Sequence, residues 1–138
     1  MKSIKFNFDG ACEPKNPGGN MGFGVLIRDE STGDTIYQET GFEPAAPGNT
    51  NNIAEYKALL NGLNWLLENG YQNDRVNVFG DSMLVIQQML GNWAAKKGAY
   101  IPFFQQAIQL SLNFSNITFT WIPREQNQEA DNLSKAVV

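Results

Sequence analysis

The sequence predicts an α/β fold, a five-stranded mixed sheet with helices on its faces. Three apolar runs follow one another through short, turn-rich links. Two later runs are each reached through a helical stretch. Hairpin links give antiparallel neighbours and helical crossovers give parallel ones, so the sheet is mixed. At 138 residues, with 42% hydrophobic and 17% charged residues, the chain reads as one globular domain, residues 1–138.

The elements follow in order. Ile4, Phe6 and Phe8 alternate with Lys5, Asn7 and Asp9, the period of a half-buried strand, and the run ends at Asp9-Gly10. The polar stretch from Glu13 to Asn20 is rich in Gly, Pro and Asn, so it forms the hairpin loop and holds Asn16. Phe23 to Arg28 is the second strand, and Asp29 to Asp34 a turn with Gly33. Thr35 to Phe42 is a more polar third strand, suited to the sheet edge. Pro44 and Pro47 keep Glu43 to Asn49 a loop.

Thr50 to Asn69 carries the strongest helical period, with Leu59, Leu60, Leu63, Leu66 and Leu67 on one stripe and Gly70 at the C-terminal cap. Asn52 with Glu55 three residues on reads as a capping box. Arg75 to Gly80 is a fourth strand, closed by Asp81-Ser82, and Met83 to Leu90 is a short helix. Gly91 to Gly98 is a turn bearing Trp93, Lys96 and Lys97. Pro102 suits the first turn of a helix running to about Phe114. Ile117 to Ile122 is the fifth strand, Pro123 breaks it, and Gln126 to Val137 is the terminal helix.

Composition excludes several chemistries. There is no histidine and one cysteine, Cys12. Ser-His-Asp and Cys-His catalysis, histidine-ligated zinc and internal disulfides are therefore out. No apolar run reaches membrane-spanning length and no signal-peptide core precedes the first strand, so a cytoplasmic protein is expected. With 10 Lys+Arg against 14 Asp+Glu the formal charge is −4, which argues against a basic nucleic-acid surface. It leaves open carboxylates working through hard divalent cations.

Four carboxylates are candidates, and each has a plainer reading. Asp9 could be a turn residue, Glu55 a capping-box member, Asp81 an N-cap and Asp131 an exposed helix charge. Asp9 and Asp81, however, both end apolar strands, and alternation assigns Asp9 to the face of Asn7 and Asp81 to that of Asn77. On adjacent parallel strands they would be neighbours whose repulsion a cation relieves. Paired cations about 3.5–4 Å apart are the arrangement of two-metal hydrolases.

"FNFDGACEPKNPGGNMGFG", "TNNIAEYKALLNGL", "VFGDSMLVIQQM" and "WIPREQNQEADNLSK" together resemble type I ribonuclease H, in that family's order and over essentially the whole chain. The resemblance implies the ribonuclease H-like fold. It also implies an endonuclease, acting as a monomer, that hydrolyses the RNA strand of RNA–DNA hybrids with two Mg²⁺ or Mn²⁺ ions, leaving a 5′-phosphate and a 3′-hydroxyl. It implies that Asp9 bridges both ions, that Glu55 and Asp81 hold one, and that Asp131 holds the other. Asn16, Asn51 and Asn52 match hybrid contacts that sense the RNA 2′-hydroxyl and minor groove, Thr50 a DNA-phosphate contact, and Trp93 an aromatic of the DNA groove. Many members carry a histidine before the last acidic residue; here Arg124 is the one strong candidate to replace it. The family's basic protrusion is reduced to Trp93, Lys96 and Lys97, and no hybrid-binding domain precedes the first strand, so weak, salt-sensitive binding is expected.

Two other readings are weighed. A non-catalytic hybrid- or partner-binding module on the same fold would have no use for four mutually repelling carboxylates. A dinucleotide site at "GGNMGFG" needs a helix after the glycines, and a strand is expected there; these glycines serve the hairpin instead.

Overall fold

The computed structural model describes residues 1–138. Its elements are β1 (Ser3–Glu13), β2 (Asn20–Asp29), β3 (Thr35–Glu43), α1 (Asn51–Glu68), β4 (Arg75–Gly80), α2 (Met83–Met89), α3 (Ile101–Ser111), β5 (Asn116–Trp121) and α4 (Gln128–Lys135). A single turn of 3-10 helix, Arg124–Gln126, precedes α4. The five strands lie in the order β3-β2-β1-β4-β5. β1 pairs antiparallel with β2 and β2 with β3, while β4 runs parallel to β1 and β5 parallel to β4. The mixed sheet and the edge position of the third strand are as the sequence led us to expect.

Alternation along β1 divides the molecule. Ile4, Phe6 and Phe8 are buried in an apolar core with α1 residues Tyr56, Leu59, Leu63 and Leu66. A Cβ on Gly62 would lie 2.0 Å from Phe6 Cζ, so that glycine lets helix and strand approach. α1 packs over β1 and β2, with α3 on its outer side, and α2 meets α1, α3 and β5. Lys5, Asn7 and Asp9 point to the other face, where α4 lies across β1, β2 and β3. No helix is long and apolar enough to cross a membrane.

Three local expectations are corrected. β1 does not end at Asp9-Gly10 but continues to Glu13, because Ala11, Cys12 and Glu13 find partners in Gly22, Met21 and Asn20. An unbroken ladder outweighs the turn preference of Asp-Gly. The capping box is absent: Thr50 caps α1, its Oγ1 accepting from Ile53 N at 3.2 Å, and Glu55 lies beyond the first turn. The terminal helix starts at Gln128 and ends at Lys135, since Asn127 has non-helical angles of φ −120° and ψ 25°.

Gly22 and Gly24 do not serve the hairpin turn. They are strand residues beneath α4, where an added Cβ would lie 1.8 Å from Ser134 O and 2.2 Å from Ala130 O respectively. Backbone, unlike a flexible side chain, cannot swing aside. Gly24→Ala is therefore expected to lift α4 from the sheet and cost about 1–3 kcal/mol of unfolding free energy, the usual penalty of overpacking. A denaturant midpoint equal to that of the unsubstituted protein would show that α4 is not seated on this glycine track.

Candidate active site

The β1–β4 ladder ends at Asn7 and Phe79. β1 runs on and β4 stops at Gly80, so Asp9 and Asp81 project from the same face just past the last paired residues. Asp9 is 3% exposed. Gly10, also past the ladder, has an N–H free on that side. Glu55, on the second turn of α1, takes it: Gly10 N donates to Glu55 Oε1 at 2.7 Å. A Cβ on Gly10 would sit 2.3 Å from the backbone of Ala54 and Glu55, so only glycine admits α1 this closely.

The result is a cluster. One carboxylate oxygen from each of Asp9, Glu55 and Asp81 lies within 4.8 Å of the others. Glu55 is 2% exposed, and its Oε2 has no hydrogen-bond partner. A buried carboxylate oxygen without a donor is costly unless a proton or a cation satisfies it. The donor set is entirely hard oxygen, which suits Mg²⁺ or Mn²⁺ and not a thiolate- or imidazole-seeking metal.

Asp131, on α4, is close by but outside the three-carboxylate cluster. It is not the exposed helix charge of the plainer reading: its side chain is 18% exposed, Oδ1 is buried without a hydrogen bond, and Lys135 Nζ is 3.4 Å away. Its charge reaches Asp9. Ser134, fully buried one turn along α4, donates to Asp131 O at 2.7 Å and lies 3.4 Å from Asp9 Oδ2.

Asp81 is no N-cap. Ser82 fills that role for α2, its Oγ accepting from Val85 N. Trp121 Nε1 donates to Asp81 O at 3.0 Å, which fixes the backbone, and Asn127 Nδ2 donates to Asp81 Oδ2 at 3.1 Å.

Burial and crowding favour the protonated forms. Burial is the largest cause that pushes Asp9 up to about 7; the neighbouring Glu55 carboxyl opposes it, while Asp131 and the charge of Asp81 add to it. Burial also raises Glu55 well above the ordinary range, with the Asp9 charge next and the Gly10 N–H opposing. Asp81 is raised by burial as well, against the Asn127 hydrogen bond and the Arg124 charge.

The remaining candidates form two groups. Thr50, Asn51 and Asn52 open α1, the helix that carries Glu55, and Asn16 reaches them from the β1–β2 loop, its Oδ1 accepting from Asn51 N at 3.0 Å. Trp93 is 47% exposed in the loop after α2, beside Met89 and Phe104. Arg124 is exposed on the 3-10 turn, near enough to favour ionised Asp81. It makes no ion pair with Glu125 or Glu129, its acidic neighbours in the sequence; Glu129 pairs with Arg28 instead.

Sequence reasoning missed Asn127 and Ser134. Asn127 looks like an ordinary helix-capping residue. The only signal for a polar interior was the unbroken polar series Lys5, Asn7, Asp9 on one strand face.

A family model described as reverse transcriptase-like matches residues 7–137. The chain is 35% identical over 121 residues to the bifunctional protein Rv2228c of Mycobacterium tuberculosis, covering 86% of this chain and 31% of that protein. It is 32% identical to ribonuclease HI of Halobacterium salinarum, covering 92% of this chain and 60% of that enzyme. The chain thus spans about a third of the length of the first curated relatives it matches. Among solved structures, LC11-RNase H1 in complex with an RNA/DNA hybrid superposes with a TM-score of 0.85 at 32% identity, covering 96% of this chain and 94% of that one.

Carboxylates whose folded pKa exceeds the unfolded value bind extra protons in the folded state. The cluster's contribution to the stability of the metal-free protein should therefore be fully present near pH ~4 and be lost as pH rises toward ~7. Melting temperatures in EDTA should fall across that window. Asp9→Asn should flatten the profile and raise the melting temperature at pH ~8 by about 3 °C or more, the shift that ~1 kcal/mol produces in a chain of this size. Metal-free stability that instead rises from pH ~5 to pH ~8 would mean that the fold favours these groups as ions.

Proposed function

Because the chain belongs to the reverse transcriptase-like family and has the type I ribonuclease H fold, we propose that it is a metal-dependent endonuclease that hydrolyses the RNA strand of RNA–DNA hybrids, leaving 5′-phosphate and 3′-hydroxyl ends. The observation that carries this reading is the cluster of Asp9, Glu55 and Asp81 oxygens within 4.8 Å, with the buried Glu55 Oε2 lacking any partner. Ribonuclease HI of H. salinarum and the hybrid-bound LC11-RNase H1 support the reaction and the substrate class.

In this reading Asp9, Glu55 and Asp81 hold one divalent cation, and Asp9 with Asp131 a second. Mg²⁺ is the expected ion, with Mn²⁺ able to replace it. Bound cations supply the charge that activates water and stabilises the leaving oxygen of the phosphodiester. The chain's own part is to keep four carboxylates convergent on rigid elements. Asn16, Asn51 and Asn52 meet the minor groove of the hybrid, where only RNA offers a 2′-hydroxyl. Thr50 takes a DNA phosphate through its hydroxyl hydrogen, which the capping interaction leaves free. Trp93 stacks along the DNA strand. All four carboxylates come from one chain, so residues 1–138 act as one catalytic unit and a monomer suffices. The expected setting is the cytoplasm, where Cys12 stays unpaired.

A labelled RNA–DNA hybrid should be cut in Mg²⁺ or Mn²⁺ and left intact in excess EDTA, and Asp81→Asn should reduce cleavage to background. Full activity in EDTA would sink the proposal.

Arg124 attracts the scissile phosphate or helps the charged product leave, but it cannot act as a general base because its guanidinium stays protonated. Arg124→Ala should lower turnover by roughly ten- to a hundredfold, the scale of one lost electrostatic contact, with little change in melting temperature. Arg124→Lys should recover part of the rate. Unchanged single-turnover and steady-state rates in Arg124→Ala would assign this side chain to the solvated surface.

A further inference from the structure

Asn127 immediately precedes α4, the position where an Asn side chain ordinarily accepts a hydrogen bond from the first turn of its helix. Here it makes no such bond. The residue is 2% exposed and its amide is used elsewhere. Nδ2 donates to Phe8 O at 3.0 Å and to Asp81 Oδ2 at 3.1 Å, while Oδ1 accepts from Asn7 Nδ2 at 3.0 Å. Both amide hydrogens and one acceptor site are thereby filled. The backbone adds a further link, since Asn127 O accepts from Asp131 N at 3.0 Å. One side chain and its own carbonyl thus join β1, the end of β4 and the start of α4. Those are the elements that bear Asp9, Asp81 and Asp131.

Only one of these bonds reaches a carboxylate of the cluster. It engages Asp81 Oδ2 and leaves Oδ1 without a hydrogen bond from the chain. A carboxylate held by one oxygen is fixed in rotamer and still has an oxygen to give to a cation. A donor at that oxygen also favours the ionised form, which is the form that ligates. Groups that hold a ligand in this way typically contribute tenfold or more to metal affinity.

We propose that Asn127 is a positioning residue that holds the Asp81 carboxylate in its metal-binding orientation, a role that rests on the reading of Asp81 as a ligand. The helix forgoes its side-chain cap for this purpose.

The test is calorimetric titration of Mn²⁺ into the full chain, without substrate, well below the melting temperature. Asn127→Ala should weaken Mn²⁺ binding by about tenfold or more. In the Asp81→Asn background the same change should add nothing, because the residue acts through Asp81. A folded Asn127→Ala protein whose Mn²⁺ affinity stays within about twofold of wild type would overturn the proposal and leave Asn127 a brace of the fold; so would full additivity in the double variant. If Asn127→Ala does not fold, the wild-type protein decides. Its Asn127 side-chain amide resonance should shift on addition of Mg²⁺ with the midpoint of binding, and an amide that does not move overturns the role. A wild-type protein that takes up no Mn²⁺ would overturn the metal reading itself and this proposal with it. Normal wild-type uptake with an unaffected Asn127→Ala variant removes only the role of Asn127.

Discussion

The parallel pairing of β1 with β4 stops at Asn7 and Phe79, and the acidic cluster forms where it stops. One strand continues while its neighbour turns into α2. That mismatch leaves two aspartates side by side and one backbone N–H unclaimed. The orphaned N–H of Gly10 is what brings Glu55 round from the opposite face of the sheet. A buried amide must find an acceptor, and a carboxylate is a strong one. The same bond that satisfies the backbone therefore delivers the third acid.

Close approach is the second requirement, and glycine meets it on both faces. Gly10 admits the backbone of α1, while Gly22 and Gly24 admit that of α4. The carboxylates consequently sit on elements pressed directly against the sheet, with little slack between backbone and site. Sites supported in this way keep their geometry better than sites carried on loops. The electrostatic cost is visible in the raised pKa values of Asp9, Glu55 and Asp81, each caused first by burial. Such crowding is tolerable because the remainder of the sheet is anchored by a large apolar core on its other face.

Much of this was legible in the sequence. Ile4, Phe6 and Phe8 gave the buried face, Leu59, Leu63 and Leu66 the packing stripe of α1, and the order of the strands their mixed pairing. The convergence of Asp9 and Asp81 followed from the alternation of two neighbouring strands. What was not legible depended on contacts distant in sequence. Asp9-Gly10 has the local chemistry of a turn, and only pairing with β2 keeps it extended. Asn52 and Glu55 have the spacing of a capping box, yet Gly10 claims Glu55 and Thr50 caps the helix instead. Asn127 has the local chemistry of a cap, but acceptors more than forty residues away claim its amide. In each case a long-range hydrogen bond displaced a short-range one.

The apolar core lies on the α1 face, and α4 contributes only Ala130 and Ser134 as buried residues. Local opening free energies follow buried apolar contact, so hydrogen exchange is expected to separate a cooperative block of sheet and α1 from the C-terminal helix, which is seated close to the sheet but buries little apolar surface of its own. Asp9, Glu55 and Asp81 belong to the block and Asp131 to the helix. On that expectation the first three acids share the protection of global unfolding, whereas the fourth rides on the unit that opens first. The acidic site is therefore graded in persistence: its three-carboxylate part lasts as long as the fold does, and its completion by the fourth tracks the docking of one short helix.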